Sequence, residues 1–220
     1  MNKQSFHYTA DAARVISDDY IGLMDRDEYN SAIMHVKELI NAANVLFMAK
    51  SYAPSVFLSI TIFEEIAKIK SGHMRSWGQE IKQVRRSKDP LFQHVKKHKI
   101  ALDNMYLIGD RLENSMGKDR AEEFFRKYQT GEYSNFREES LYFARCKNKL
   151  HIPSQQFDIK LSAEHLLVAI EMFSDEFWGV TAEASTICDT TDAIYIEVEK
   201  QLTSALSQRG SNLDFRHQNF

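Results

Sequence analysis

The sequence predicts an all-α fold, a single compact helical bundle of six to seven helices, on three observations. Apolar residues recur at i, i+3, i+4 and i+7 through most of the chain, the spacing of one buried helix face. Only 8 glycines and 3 prolines serve 220 residues, well under the roughly 7% and 5% of average chains, so the turns that a many-stranded sheet needs are scarce. No internal repeat, low-complexity tract or linker rich in Pro, Gly or Ser divides the chain. Residues 1–208 therefore read as one α-helical domain, and 209–220 as a polar, disordered tail.

The elements follow in order. Residues 8–24 form a weak first helix, and 30–51 a stronger one with Ile33, Val36, Ile40, Ala43, Leu46 and Phe47 on one stripe. Pro54 suits the first turn of the next helix, where its missing N–H would be unpaired anyway; that helix runs to about Trp77. Asp89-Pro90 repeats the start signal of an N-cap and a proline, with Leu91, Val95, Leu102, Met105 and Leu112 behind it at helical spacing. A short amphipathic helix spans 119–129. Asn135 with Glu138 three residues on resembles a capping box, opening a helix that must stop before Pro153. Ser162 opens a long helix whose Leu166, Ile170, Phe173, Phe177, Val180, Ala184 and Ile187 hold one face, and Thr190 caps a last one through Leu206. The longer loops near 78–89, 129–134 and 151–161 are where a rigid scaffold would carry function.

Composition excludes several classes. With 43% hydrophobic and 27% charged residues the chain is an ordinary globular protein. Cys146 and Cys188 are too few and too far apart for a disulfide scaffold or a Cys-rich zinc site, which suits a reducing compartment. The first residues lack the apolar run of a signal peptide, and no stretch reaches the eighteen or so apolar residues of a membrane span. A cytoplasmic protein with no membrane partner is expected. The net charge of −3 argues against wholesale coating of nucleic acid. Yet between 82 and 99, Lys82, Arg85, Arg86, Lys88, Lys96, Lys97 and Lys99 face Asp89 alone, the asymmetry of either a phosphate-binding groove or a solvated basic face.

Three constellations carry candidate chemistry. In the central helix the apolar run Val56 to Phe63 is followed at once by Glu64, Glu65 and Lys68; a carboxylate buried there must meet a cation or several donors, unless Glu64 and Lys68 merely pair at i, i+4 where the helix reaches solvent. His94 and His98, also at i, i+4, have the spacing of two metal ligands, but the lysines around them and the lack of any Glu-x-x-His pair speak against a metal, so none is expected. Arg145 and His151 enclose five residues and are flanked by Lys147 and Lys149. In a continuous helix they would point about 120° apart, but Pro153 ends the helix and lets the imidazole swing back. A guanidinium to hold phosphate and an imidazole titrating near neutrality are the minimum for attack of an RNA 2′-hydroxyl on its own phosphodiester without metal. A solvated helix C-terminus, where Arg, Lys and His complement the dipole, is the plainer alternative.

Asn41-Ala42, Tyr52-Ala53-Pro54-Ser55-Val56, Ile62-Phe63-Glu64-Glu65-Ile66-Ala67-Lys68, His94-Val95-Lys96-Lys97, and Leu141-Tyr142 followed by Pro153 together resemble the AbiV family of bacterial abortive-infection proteins, over about residues 35–180. The family carries Gly where Ala67 stands. It is placed in the HEPN superfamily of helical bundles, which often dimerise and cut RNA without metal through Arg-x4–6-His. The resemblance implies an anti-phage ribonuclease effector with RNA as substrate, a homodimer, a phage protein as trigger and no cofactor. It implies Arg145 and His151 as the catalytic pair, with Cys146 where many members carry a polar residue, and Arg137 as a rival phosphate-binding arginine. Glu64, Glu65, Lys68, His94, Lys97, Arg137 and Tyr142 become supporting or RNA-binding residues. A non-enzymatic module that binds a phage protein or a partner toxin is the alternative reading.

Overall fold

The computed structural model describes residues 7–75, 81–102, 110–146 and 149–214. Its architecture is all-α, with two very small sheets. After the short α1 (His7–Ala13) come α2 (Arg26–Met48) and α3 (Tyr52–Arg75). The Asp25 side chain accepts from Glu28 N at 2.9 Å while Glu28 Oε2 accepts from Met24 N at 2.7 Å, so reciprocal capping starts α2 four residues earlier than the apolar stripe alone suggests. The stripe itself is as expected, with Ile33, Val36, Ile40, Ala43 and Phe47 buried. Lys50, at φ +61°, ends the helix and turns the chain into α3.

Helix α3 is the axis of the molecule: it packs against α2, against α9 (Ile159–Phe177) and against α4 (His94–Ala101), and α10 (Ala182–Asp214) closes over α9 and α2. Its Val56, Ile60, Ile62 and Phe63 are wholly buried, each stabilising by about 1.5–3 kcal/mol through lost contact with water. Gly72 lies under the Tyr20 ring, where a Cβ would come within 2.0 Å of the hydroxyl. That close approach explains a glycine inside a helix.

Four boundaries differ from the sequence expectation, each for a physical reason. The weak helix over 8–24 stops at Ala13, because Val15–Ile16 (β1) pairs in parallel with Lys82–Gln83 (β2). The helix expected from Pro90 is a 3-10 turn, Pro90–Phe92, then α4, and later α5 (Arg111–Met116); Met105 lies outside the described residues. Asp89 caps the 3-10 turn, accepting from Leu91 N at 2.9 Å. The long run from Ser162 is two helices: α9 starts at Ile159 under the Asp158 cap, and Gly179, at φ +83°, reverses the chain before Thr181 Oγ1 caps α10 by accepting from Ala184 N at 3.0 Å. Thr190 is thus an interior residue of α10. Finally, α10 continues to Asp214, past the expected end at Leu206 and into the segment expected to be a loose tail; extending a nucleated helix costs far less than starting one.

The most consequential difference lies between 135 and 153. After α6 (Lys118–Thr130), Asn135 makes no side-chain cap, and α7 is only Phe136–Glu139. The chain then forms an antiparallel hairpin, β3 (Ala144–Cys146) with β4 (Lys149–His151), before Pro153 opens the single-turn α8 (Pro153–Gln156). Among the described residues no helix is long and apolar enough to cross a membrane.

Candidate functional site

Two neighbouring groups of polar residues meet at α7. The first surrounds Glu64, which the apolar face of α3 carries into the interior at 2% exposure. His94 Nδ1 lies 2.6 Å from Oε1, Lys97 Nζ donates to Oε2, and Arg137 Nε stands 3.9 Å from Oε1. His98 Nε2 is 3.4 Å from Oε1 without a well-formed hydrogen bond. Burial pushes the Glu64 pKa up, but His98, Lys97 and His94 overcome it and hold the carboxyl at about 2. An ionised carboxylate only accepts, so His94 Nδ1 carries the proton, and its Nε2 has no partner among the described residues.

Arg137 completes this group from α7. Its guanidinium lies 4.8 Å over the Phe57 ring, and Nη1 is 3.3 Å from Glu138. One carboxylate is thus faced by an ammonium, two imidazoles and a guanidinium shared with Glu138, at a partly open edge where His94 is about half exposed. Glu65 and Lys68 do not join it. They pair with each other at 2.6 Å, one turn apart, on the side where Tyr20 donates to the Lys68 carbonyl, so the i, i+4 pair of Glu64 with Lys68 does not form.

The second group is the hairpin. His151 Nε2 donates to the Glu139 carbonyl at 2.7 Å, since a carbonyl oxygen can only accept. That bond ties the imidazole to the end of α7 and, in the neutral ring, leaves the Nδ1 lone pair free as a base. A cavity of about 340 Å³ opens beside it, lined by Glu138, Glu139, Tyr142, Ala144, Lys149, His151 and Gln156. Here the expected geometry needs correction. Ala144 pairs with His151 and Arg145 with Leu150, and side chains alternate between the two faces of a strand. Arg145 therefore points away from His151, exposed and without an ion pair among the described residues. A hairpin, not a helix end, carries the pair, and its pleat separates them.

Other expected features resolve simply. His94 and His98 are drawn to Glu64, and among the described residues no group of three or more His, Cys, Asp or Glu has the arrangement of a metal site. Of the basic stretch 82–99, Lys97 is buried on Glu64, while Asp89 is wholly buried against Arg75. Lys82, Arg85, Arg86, Lys88 and Lys96 are exposed, Arg86 being paired with Asp19 at 3.1 Å. Sequence reasoning treated Lys149 only as a flanking charge and missed the Glu139 carbonyl, a backbone atom with no side-chain signature.

The AbiV family model, of the HEPN type, matches residues 26–174, which takes in α2, α3, both polar groups and most of α9. No curated protein and no solved structure matches the chain.

Proposed function

The chain belongs to the AbiV family of abortive-infection proteins, HEPN-domain proteins, and from that premise we propose that it is an anti-phage effector that cleaves RNA without a metal ion. The observation that carries this reading is His151, held by its Nε2–H on the Glu139 carbonyl with Nδ1 free beside an open cavity. Such an imidazole is a fixed general base. The 2′-hydroxyl proton passes to Nδ1 as the 2′-oxygen bonds to phosphorus. The P–O5′ bond breaks, the 5′-oxygen takes a proton from solvent, and His151 returns its own. The products are a 2′,3′-cyclic phosphate and a 5′-hydroxyl, with no water consumed.

The surroundings support this chemistry. Arg137, Lys97 and His94 stand next to the hairpin, and Lys96 is exposed on the same helix as His94, so this edge offers cations to an RNA backbone. Leu141, Tyr142, Phe143 and Leu150 stand exposed around the hairpin, and a homodimer formed there is part of the proposal; Arg145, on the outer face with Leu150, lies toward that second copy rather than toward His151. Action in the cytoplasm, with a phage protein as trigger, completes the reading. The test is infection of cells that express the chain. Wild type should fragment cellular RNA and cut plaque yield, and a folded His151→Ala variant should do neither. Equal protection by that variant would sink the proposal.

A further inference from the structure

We propose that His94 is the general acid of the reaction, protonating the 5′-oxygen as it leaves phosphorus while His151 takes the proton of the 2′-hydroxyl. The inference rests on the ribonuclease reading above and names the donor that the reading leaves to solvent. Two observations carry it. The first is the dyad of Glu64 and His94: a buried carboxylate accepts from Nδ1 at 2.6 Å and leaves Nε2 without a partner among the described residues, on a side chain about half exposed. A carboxylate behind an imidazole fixes the ring and sets which nitrogen faces outward. The second is place. His94 and Arg137 meet at one atom, Glu64 Oε1, at 2.6 and 3.9 Å, and two residues after Arg137 the Glu139 carbonyl holds His151 at 2.7 Å. Two residues of helix rise about 3 Å, so the two imidazoles are anchored through neighbouring positions of α7. Glu138, between those positions, engages Arg137 at 3.3 Å and lines the cavity beside His151.

The fold does not need His94 to answer the buried charge. Lys97 donates to Glu64 Oε2, and Arg137 and His98 stand on Oε1. Of these four groups His94 is the most exposed, the one that can meet a ligand while it is held from behind. Glu64, with its carboxyl held at about 2, stays ionised and keeps accepting from Nδ1 through the reaction. As the 2′-oxygen bonds to phosphorus and its proton passes to His151 Nδ1, the P–O5′ bond breaks and the Nε2 proton of the protonated His94 goes to the 5′-oxygen. His94, now neutral, regains a proton from solvent, and His151 gives one up. An alkoxide is a poor leaving group, so a donor at the 5′-oxygen removes the negative charge where it would otherwise build. Such proton transfer typically contributes about 100- to 10,000-fold in rate.

The experiment compares wild type with H94A, H94N and H151A, full-length and purified, on two substrates. One is an oligoribonucleotide carrying the principal site that wild type cuts in total cellular RNA; the other is its analogue with sulfur in place of the scissile 5′-oxygen. A thiolate leaves without a proton, so the analogue has no use for a general acid but still needs a base at the 2′-hydroxyl. His94 is about half exposed, and circular dichroism verifies that its variants are folded. In excess EDTA, H94A and H94N should cut the oxygen substrate at least about 100-fold more slowly than wild type and the sulfur substrate within about tenfold of it, whereas H151A should fail on both. Two results overturn the inference and leave the ribonuclease reading in place. One is H94A cutting the oxygen substrate within about threefold of wild type. The other is a folded H94A and H94N losing the same factor on both substrates, as a structural or purely electrostatic role requires. No cleavage of total RNA by wild type, or undiminished cleavage by H151A, overturns the ribonuclease reading, and the inference with it.

Discussion

Helix α3 carries two buried ion clusters about three turns apart, one at Arg75 and one at Glu64, and they are built for different ends. At Arg75 every polar atom is answered within the protein. Nη2 and Nη1 hold Asp89 at 2.6 and 3.1 Å, Nη1 also meets the Tyr20 carbonyl at 2.7 Å and Nε the Ala12 carbonyl at 3.1 Å, while Ser17 Oγ donates to Asp89 at 2.9 Å. Both side chains are 0% exposed. The cluster staples the N-terminal segment and the 82–92 segment to α3 and has nothing left to bind. At Glu64 one carboxylate faces Lys97, Arg137, His94 and His98, and His94 reaches solvent. A closed ion cluster fixes a fold; one that leaves a half-exposed histidine at an open edge fixes a fold and keeps a group for a ligand.

Substitution at the closed cluster has the largest expected effect. Arg75→Met leaves Asp89 buried without its counter-ion and should cost about 3–5 kcal/mol, read as a fall in the urea midpoint. A loss under about 1 kcal/mol, the range of a surface pair, would erase the contrast between the clusters. Glu64→Gln strands the buried Lys97 ammonium and should cost about 3 kcal/mol at neutral pH. Because the folded-state pKa of Glu64 is lowered to about 2 from 4.5, its contribution is present above pH 4.5 and is lost as pH falls toward 2. The stability gap between wild type and Glu64→Gln should therefore close over that window, and a gap that stayed constant would contradict the ion-pair account.

A separate pH effect comes from elsewhere in the core. Burial lowers the His165 pKa from 6.5 to about 3, so the imidazole is neutral in the fold and its contribution, full above pH 6.5, is lost as pH falls, by about 1.4 kcal/mol per unit. Asp175 has the opposite sign. Burial raises it from 3.8 to about 7, so the fold gains stability as pH drops through that range and part of the His165 slope is hidden. Asp175→Asn should steepen the decline in stability between pH 6.5 and 4, and an unchanged slope would refute the opposition. The smallest effect belongs to the partly buried Glu65–Lys68 pair, one turn apart on α3. Lys68→Ala should change stability by under about 0.5 kcal/mol, and a larger loss would mean that this side of α3 also carries a working cluster.

Much of the bundle was legible in the sequence because long helices repeat their signal. Ile33, Val36, Ile40, Ala43 and Phe47 on α2, and Leu166, Ile170, Phe173 and Phe177 on α9, are buried as their spacing requires. The hairpin was not, since strands of three residues are too short to display alternation and the Asn135–Glu138 pattern imitates a helix start. At the site, a buried carboxylate in need of cations could be read from Glu64 following an apolar run. Which cations answered could not, because His94 and Lys97 stand thirty and more residues away and reach it through packing of α4 on α3. His151 could be singled out by residue type, whereas its anchor is a backbone carbonyl and its distance from Arg145 is a matter of register.

The most direct test incubates purified wild type and His151→Ala with total cellular RNA in excess EDTA and identifies the ends of the fragments. Wild type should yield 2′,3′-cyclic phosphate and 5′-hydroxyl ends, and the folded variant none. Fragments ending in a 3′-hydroxyl, cleavage abolished by EDTA, or equal cutting by the variant would contradict His151 as the base of a metal-independent ribonuclease.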